Sequence, residues 1–269
     1  MSRSASHRMP RSADQADGLR RMFSGAQACL VPLVANPHVD RHGAVLARLA
    51  GAFAEQGLHT LVVDAADTSP EPGELAFIDL AACVEPLGPA LAYLAALDLP
   101  MKHVDTHGSC ASFVPRMMGL VPHIDVVVLH AEARVLARML AARDLRPLVL
   151  ASGETDALTH AYAALKLLTG RLGLQSFDLV LPVPAARRGP QPAQLARRIS
   201  DCADRFLGTA LHDWVAIDPE QPFGQPASPE LQRLIAAQLG IAGTPGALPP
   251  AWAVASAHPR MPSSPSMNA

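Results

Sequence analysis

Short runs of β-branched and aliphatic residues alternate along the chain with longer segments in which apolar residues recur every three to four positions. This alternation is typical of repeated strand–helix–strand units built around a parallel sheet. It predicts strands at residues 29–34, 60–64, 101–104, 124–130, 146–151, 177–181 and 213–217. Helices are predicted at residues 44–56, 88–97, 112–119, 132–143, 156–170, 191–206 and 229–239. Leu61–Val63 and Val126–Leu129 are apolar at every position, as strands covered on both faces are. We therefore predict a doubly wound α/β fold, with a mainly parallel sheet of seven or eight strands and helices on both faces.

The two ends of the chain depart from this pattern. Residues 1–12 contain three arginines and few apolar side chains, so we expect a disordered leader. A helix is predicted at residues 13–24, because Ser12 and Gln15 form an S-x-x-Q capping box and Ala16, Leu19 and Phe23 fall on one face. The α/β domain is expected to span residues 26–241, and the Pro-, Ala- and Ser-rich residues 242–269 are expected to be disordered.

The composition limits the classes of function. The 22 Lys and Arg residues are balanced by 24 Asp and Glu, which leaves no excess of basic charge for binding nucleic acid. No apolar run reaches the length of a membrane-spanning helix, and the N-terminus lacks the apolar core of a secretion signal, so we expect a cytoplasmic protein. The four cysteines form no C-x-x-C pair, so neither a zinc site nor a disulfide framework is predicted.

The segment after the first predicted strand, Asn36–Gly43, is where such folds usually bind phosphate. A phosphate-binding loop needs glycines whose N–H groups converge on the phosphates, a Lys on the β and γ phosphates, and a Ser or Thr on magnesium. The segment has none of these residues at the required positions. Pro37 has no N–H, and His38 and Val39 resist the positive φ angles that glycine allows. An inward-facing Asp40 would repel a phosphate oxygen about 4 Å away by roughly 4 kcal/mol at an effective dielectric of 20, whereas an outward-facing one would cost little.

Two other groups of residues could carry chemistry. His38, Asp40 and His42 alternate like metal ligands, but two-residue spacing in a loop gives no preorganised tetrahedron. A polar surface loop is the favoured interpretation, and no metal is expected. His107–Cys110 could form a nucleophile turn, but it lacks the second glycine of G-x-S-x-G, so no catalytic residue is predicted there.

Three segments, taken in order, resemble one family of proteins. Asp14–Arg21 reads D-Q-A-D-G-L-R-R and is similar to the D-Q-A-x-x-L-R segment that precedes the ATPase domain in the flagellar number regulators FlhG and FleN, a subgroup of the MinD/ParA-type ATPases. Glu154–Leu168 is similar to their E-P-T-S-I-T-D-A-Y-A-L-I-K-L-L helix, and Ile199–Gly208 to their late helix ending in A-x-x-F-L. The resemblance covers residues 13–240 and implies a P-loop NTPase-like fold.

The same resemblance implies that the nucleotide-binding positions have changed. Aligned on Ala54–Asp64, the family's Walker A loop G-K-G-G-V-G-K-[ST] falls on Asn36–Gly43, so that its phosphate lysine becomes His42 and its magnesium hydroxyl becomes Gly43. The family's first aspartate at the end of the second strand is kept as Asp64. The family's catalytic aspartate falls on Ala66, its switch aspartate on His130 and its adenine-binding asparagine on Pro182. The resemblance thus implies a pseudo-ATPase without a cofactor, whose degenerate site comprises Asn36, His38, Asp40, His42, Gly43, Asp64, Ala66, His130 and Pro182.

The D-Q-A helix implies a protein partner. In FlhG-type regulators this segment is thought to engage the flagellar GTPase FlhF and to stimulate its GTP hydrolysis. Leu19 and Phe23 would fill a groove while Gln15 or Arg20 reaches polar atoms near the partner's nucleotide. The expected function is regulation of flagellar number and placement through protein contacts, with other flagellar components as further partners. The implied partner-binding residues are Asp14, Gln15, Ala16, Leu19, Arg20 and Phe23.

Other interpretations stay open. An active ATPase would bind ATP and Mg²⁺, form a nucleotide-dependent homodimer and cycle between cytoplasm and membrane. A MinD-like relative could also regulate another surface machine, such as cellulose export, and the helix at 13–24 could simply pack on its own domain. The last predicted helix carries Leu231, Leu234, Ile235 and Leu239 on one face but only one basic residue, so we expect it to dock on the domain. Recruitment to the inner face of the membrane would then require a partner.

Overall fold

The computed structural model describes residues 28–140, 143, 145–184, 191–222 and 224–240. The leader, the helix predicted at 13–24 with its six partner-binding residues, and the tail lie outside the described residues. The strands are β1 Cys29–Val34, β2 Thr60–Asp64, β3 Glu85–Gly88, β4 Leu91–Ala95, β5 Val126–Ala131, β6 Leu148–Leu150, β7 Ser176–Pro182 and β8 Ala210–Ile217. The α-helices are α1 His42–Glu55, α2 Phe113–Met118, α3 Ala133–Met139, α4 Thr155–Leu172, α5 Gln191–Leu207 and α6 Pro229–Gln238.

The strands form one eight-stranded sheet in the order β3-β4-β2-β5-β1-β6-β7-β8. All neighbours pair in parallel except β3, which runs antiparallel to β4 at one edge. β1 lies in the interior, with Leu33 opposite His130 of β5 and Leu148 of β6. The carboxyl ends of the parallel strands therefore meet at one edge of the sheet, and the predicted fold class is confirmed.

Each face of the sheet is covered by its own layer of helices. Side chains alternate along a strand, so Val31 and Leu33 pack with α1 and α6, whereas Leu30 and Val34 belong to the layer of α2, α3, α4 and α5. Burial on both faces explains why β1, β2 and β5 are apolar at nearly every position.

Two predicted elements are wrong. Residues 88–97, predicted as a helix, contain β4, whose Leu91–Ala95 pair with Thr60–Asp64. Their Leu- and Ala-rich sequence favours a helix locally, but pairing with a buried strand overrides that weak preference. Residues 101–104, predicted as a strand, belong instead to a 3₁₀ turn at Pro100–His103, because Pro100 fixes the φ angle of a turn start. Within the described residues, the other predicted strands and helices are confirmed, with shifted ends.

The last helix docks on the domain, as the sequence predicts. Leu231, Leu234 and Ile235 are buried, and α6 contacts α1 and β8. Ser228 caps the helix by accepting a hydrogen bond from the N–H of Leu231 at 3.2 Å. Within the described residues, no helix combines the length and the hydropathy that crossing a bilayer requires.

Candidate functional site

The side chain of Asn36 organises the loop after β1. This residue is 3% exposed. Its Nδ2 donates to the carbonyl oxygen of Leu150, at the end of β6, at 3.0 Å, and to that of Ala157, in the first turn of α4, at 2.9 Å. Its Oδ1 accepts a hydrogen bond from the N–H of His38 at 3.2 Å. The amide therefore ties the end of β1 to β6 and α4 and fixes the start of the loop.

The rest of the loop is also held by its own contacts. The N–H of Val39 donates to the carbonyl oxygen of Asn36 at 3.1 Å, and the Val39 side chain is buried in the layer of α1. Arg41, directly before α1, adopts a left-handed φ of 56°, whereas His38 and Val39 have negative φ angles. Asp40 is exposed, so its carboxylate faces solvent and not the interior of the loop.

The two histidines of the loop turn to different partners. His42 begins α1, and its ring stacks on that of His130 with centroids 6.0 Å apart. His38 meets the ring of His160 edge-on at 5.7 Å. Burial, followed by the neighbouring His38, lowers the pKa of His160. The described residues contain no group of three His, Cys, Asp or Glu that could hold a metal ion.

The position after His42 is open. Gly43 is exposed, and a Cβ built there would meet no atom within 4 Å. This glycine therefore serves no close approach of backbone or side chain. A hydroxyl-bearing residue would fit sterically at the same place.

β2 and β5 end side by side in a buried carboxylate–imidazole pair. Asp64 lies opposite His130 in register, and its Oδ1 is 2.8 Å from His130 Nδ1. Its Oδ2 accepts a hydrogen bond from the Tyr93 hydroxyl at 3.1 Å. Burial, followed by the charge of Asp64, raises the pKa of Tyr93 to about 12. Both carboxylate oxygens are thus engaged by side chains, whereas His130 Nε2 is buried without a hydrogen-bond partner in the described part of the chain.

A second buried carboxylate lies at the turn after β2. Ala66 is fully buried; its N–H lies 3.4 Å from Asp64 Oδ1, and its carbonyl oxygen accepts a hydrogen bond from the N–H of Ser69 at 2.9 Å. Glu132, directly after β5, accepts a hydrogen bond from the N–H of Asp67 at 2.7 Å. Glu132 Oε2 is buried without a hydrogen-bond partner among the described residues. Glu132 is missing from the predicted site, although a charged residue at the end of a continuously apolar strand is a signal that could have found it.

A cavity of about 260 Å³ adjoins this turn. Two arginines and two aspartates line it, and Arg134 binds Asp67 through contacts of 2.7 and 3.0 Å. Its volume falls just below the range of about 300–1,000 Å³ that is usual for small-molecule sites. No residue of the loop 36–43 is among its lining residues, which are Ala65, Asp67, Asp98, Pro100, Met101, Arg134, Val135 and Arg138.

Two further predicted positions lie apart from the loop. Pro182 ends β7, which β6 separates from β1, and pairs with Ile217 of β8. In the turn 107–110, the carboxylate of Asp105 accepts hydrogen bonds from the N–H groups of His107 and Ser109 at 2.8 and 2.9 Å. These bonds, that of Ser109 foremost, lower the pKa of Asp105. The Ser109 hydroxyl donates to the carbonyl oxygen of Arg138 at 3.2 Å, so a backbone acceptor and not a base engages it.

Comparison with solved structures identifies the fold. MinD from Aquifex aeolicus aligns over 79% of this chain and 97% of its own, with 13% identity and a TM-score of 0.51. The chain has the fold of the MinD/ParA-type ATPases. A plasmid partition protein from Borrelia burgdorferi B31 bound to AMPPNP aligns over 80% of this chain and 99% of its own, with 9% identity and a TM-score of 0.55. Apo McdA from Cyanothece covers 81% of this chain and 94% of its own, with 14% identity and a TM-score of 0.51.

At these identities the likeness concerns the fold alone. No protein-family model matches the sequence, and no curated protein does. A conclusion about function therefore has to rest on the residues of the site and not on the fold.

Proposed function

We propose that this protein is a regulator of flagellar number and placement that has an ATPase fold but acts through protein contacts instead of nucleotide hydrolysis. The observation that carries the proposal is the loop after β1. There the side chain of Asn36 accepts a hydrogen bond from the N–H of His38, and its carbonyl oxygen accepts one from the N–H of Val39.

A phosphate cradle needs several successive N–H groups that point at one anion. In this loop two N–H groups donate to Asn36, and Pro37 has none to offer. Opening the cradle would require breaking the hydrogen bonds of a buried amide, which costs more than the loss of solvent-exposed ones. The backbone of the loop therefore supports the pseudo-ATPase proposal independently of the missing side chains.

The side chains around the loop support the same conclusion. The resemblance places the family's phosphate lysine at His42, whose ring is stacked on that of His130. Asp64, the retained residue on the magnesium side, has both oxygens engaged by His130 and Tyr93. A magnesium ion with its shell of waters would have to displace these contacts.

Nucleotide titration tests this part of the proposal. We expect no binding of Mg-ATP by calorimetry at micromolar concentrations, and micromolar affinity would refute the pseudo-ATPase. The double variant His42→Lys with Gly43→Thr restores the two missing side chains, and the threonine fits because a Cβ at Gly43 meets nothing. We expect this variant to remain without micromolar affinity, since Pro37 and Asn36 still shape the backbone.

The flagellar part of the proposal is supported by the three resembling segments. Two of them coincide with helices: Glu154–Leu168 begins at the start of α4, and Ile199–Gly208 includes the end of α5. The third, Asp14–Arg21, lies outside the described residues. We propose that it engages an FlhF-type GTPase, to which Leu19 and Phe23 offer an apolar stripe.

GTP turnover by the partner tests the contact. We expect the full chain, and a peptide of residues 1–25, to raise GTP hydrolysis by FlhF. Gln15→Ala should abolish the increase, because Gln15 is placed to reach the partner's nucleotide. In the full chain, Gln27→Ala changes the same residue type just beyond the segment and should leave the increase intact. If FlhF hydrolyses GTP at the same rate whether or not the full chain or the peptide is added, FlhF is not the partner.

The alternative is an ATP-binding protein that cycles between cytoplasm and membrane, and the fold is its support. The apolar face of α6 is already packed on the domain, which leaves that helix no face for a membrane. We propose instead a cytoplasmic protein that a partner brings to the inner face of the membrane.

A further inference from the structure

The segment between β2 and β4 carries an exposed apolar surface. Of the six large apolar side chains that the described residues expose, four lie here: Leu75 at 57%, Phe77 at 63%, Ile78 at 85% and Leu87 at 60%. Such side chains are usual when scattered singly over a surface. Four within thirteen residues are a concentration that a binding surface explains.

These side chains are held in place by the fold. Ala76 and Leu80, which alternate with them, are buried in the core. The Asp79 carboxylate accepts hydrogen bonds from the N–H groups of Ala81 and Ala82 at 3.1 and 3.3 Å, which fixes the next turn. The apolar side chains therefore point outward from anchored backbone.

The same segment is strongly acidic. Residues 65–90 contain five Asp and Glu and no Lys, Arg or His. Asp67 binds Arg134, but the other four are exposed in the same stretch of the sequence as the apolar side chains. We call this region the acidic apolar surface, defined by Glu71, Glu74, Leu75, Phe77, Ile78, Asp79, Glu85 and Leu87. It is complementary to a segment that is both basic and apolar.

We propose that the acidic apolar surface docks residues 13–24 of the same chain. Residues 1–27 contain five arginines and two aspartates, a net charge of +3 opposite the acidic surface. The predicted helix offers Leu19 and Phe23 on one face, and Arg20 and Arg21 lie beside them. Charge and apolar character thus match on both sides of the contact.

The chain before β1 is long enough for the predicted helix to reach the acidic apolar surface. The described chain begins at Ala28, directly before β1, and three strands lie between β1 and β3. At about 4.8 Å per strand, β3 is roughly 19 Å from β1. Residues 24–27, fully extended, span about 13 Å, and a helix at 13–23 adds about 16 Å. The helix can therefore lie along the edge that carries Leu87.

Docking covers the apolar stripe that the proposed partner would bind. The acidic apolar surface would then hold the helix until the partner displaces it. This regulatory consequence rests on the proposed function, whereas the docking itself does not.

Amide hydrogen exchange of the full chain tests the docking. A helix of about eleven residues is marginal by itself in water, so slow exchange at residues 14–23 requires a surface to pack on. We expect these amides to exchange at least about tenfold more slowly in the full chain than in a peptide of residues 1–27, since burial of one large apolar side chain is worth that factor. The double variant Phe77→Asp with Ile78→Asp should bring exchange back to the rate of the peptide.

A matched control is Phe206→Asp, which changes an equally exposed aromatic side chain at the end of α5 and should leave the protection unchanged. Unaltered exchange in β1 and β5 shows that each variant is folded. Replacing Glu71, Glu74 and Glu85 together by Gln should reduce the protection, and unchanged protection in that variant would overturn the charge matching.

Three results would overturn the docking: fast exchange of residues 14–23 in the full chain, protection that survives the double variant, or protection that increases with protein concentration and so comes from a second copy. Failure of the docking is distinct from failure of the proposed function. If the peptide stimulates FlhF but the helix is unprotected, only the docking is wrong. If the helix is protected but FlhF does not respond, only the partner is wrong.

Discussion

The side chain of Asn36 joins three elements, and its removal has a predictable cost. Asn36→Ala deletes hydrogen bonds to the carbonyl oxygens of Leu150 and Ala157 and from the N–H of His38, at a site that is 3% exposed. A typical intramolecular hydrogen bond contributes about 1 kcal/mol net, and a buried polar group left unpaired costs about 1–3 kcal/mol. Some of the groups released can find water or a helical partner. We therefore expect the free energy of unfolding to fall by about 2–4 kcal/mol.

Urea unfolding followed by circular dichroism measures this loss. For a domain of this size each kcal/mol lowers the thermal midpoint by about 2–4 °C, so Asn36→Ala should melt roughly 4–16 °C lower. Asn36→Asp is a sharper probe, because its carboxylate keeps the acceptor for His38 but cannot donate to the two carbonyl oxygens. Burial against those oxygens would raise the pKa of the introduced carboxyl in the folded state. Its stability deficit should therefore be full at pH 7 and shrink as the pH falls towards 4, where the carboxyl binds a proton.

Asp40→Ala is the matched control, because Asp40 is exposed in the same loop. We expect it to change the free energy of unfolding by less than about 0.5 kcal/mol. If Asn36→Ala also changed the free energy of unfolding by less than about 0.5 kcal/mol, this amide would not hold the loop. The structural support for a closed phosphate-binding loop would then be lost.

Two further predictions concern ionisable side chains. Asp178 is fully buried and 2.8 Å from Arg146 Nε; burial raises the pKa of Asp178 and Arg146 lowers it, so Arg146→Met should cost about 3 kcal/mol in urea unfolding. Arg233→Met breaks the more exposed pair with Asp213 and should cost less than about 1 kcal/mol; equal losses would contradict the role of burial. In a spectrophotometric titration one tyrosine should ionise only near pH 12, and Tyr93→Phe should remove that step. Because the folded pKa of Tyr93 is raised, its contribution to stability is complete below about pH 10 and is lost as the pH rises to about 12. A tyrosine step near pH 10 that disappears in Tyr93→Phe would be the contrary result.

Local spacing determined the layers of the fold and the side chains that the loop offers. Apolar runs such as Leu61–Val63 favoured strands covered on both faces, because they are short and rich in β-branched residues. Pro37 excludes an N–H donor in any conformation, and the absence of a lysine at His42 is a matter of covalent structure. These conclusions needed no coordinates.

Tertiary structure decided whatever depends on partners far along the chain. Asn36 reads as one altered position of a degenerate loop, yet it is the residue that closes that loop, through bonds to residues 114 and 121 positions away. The strand at Leu91–Ala95 exists because Thr60–Asp64 lies beside it, against the local preference of its sequence. Asp64 and His130 are 66 positions apart and meet because β2 and β5 end together. Periodicity reports which face of an element is apolar, but the pairing of elements is a long-range choice, made by whichever arrangement buries those faces and satisfies the polar groups between them.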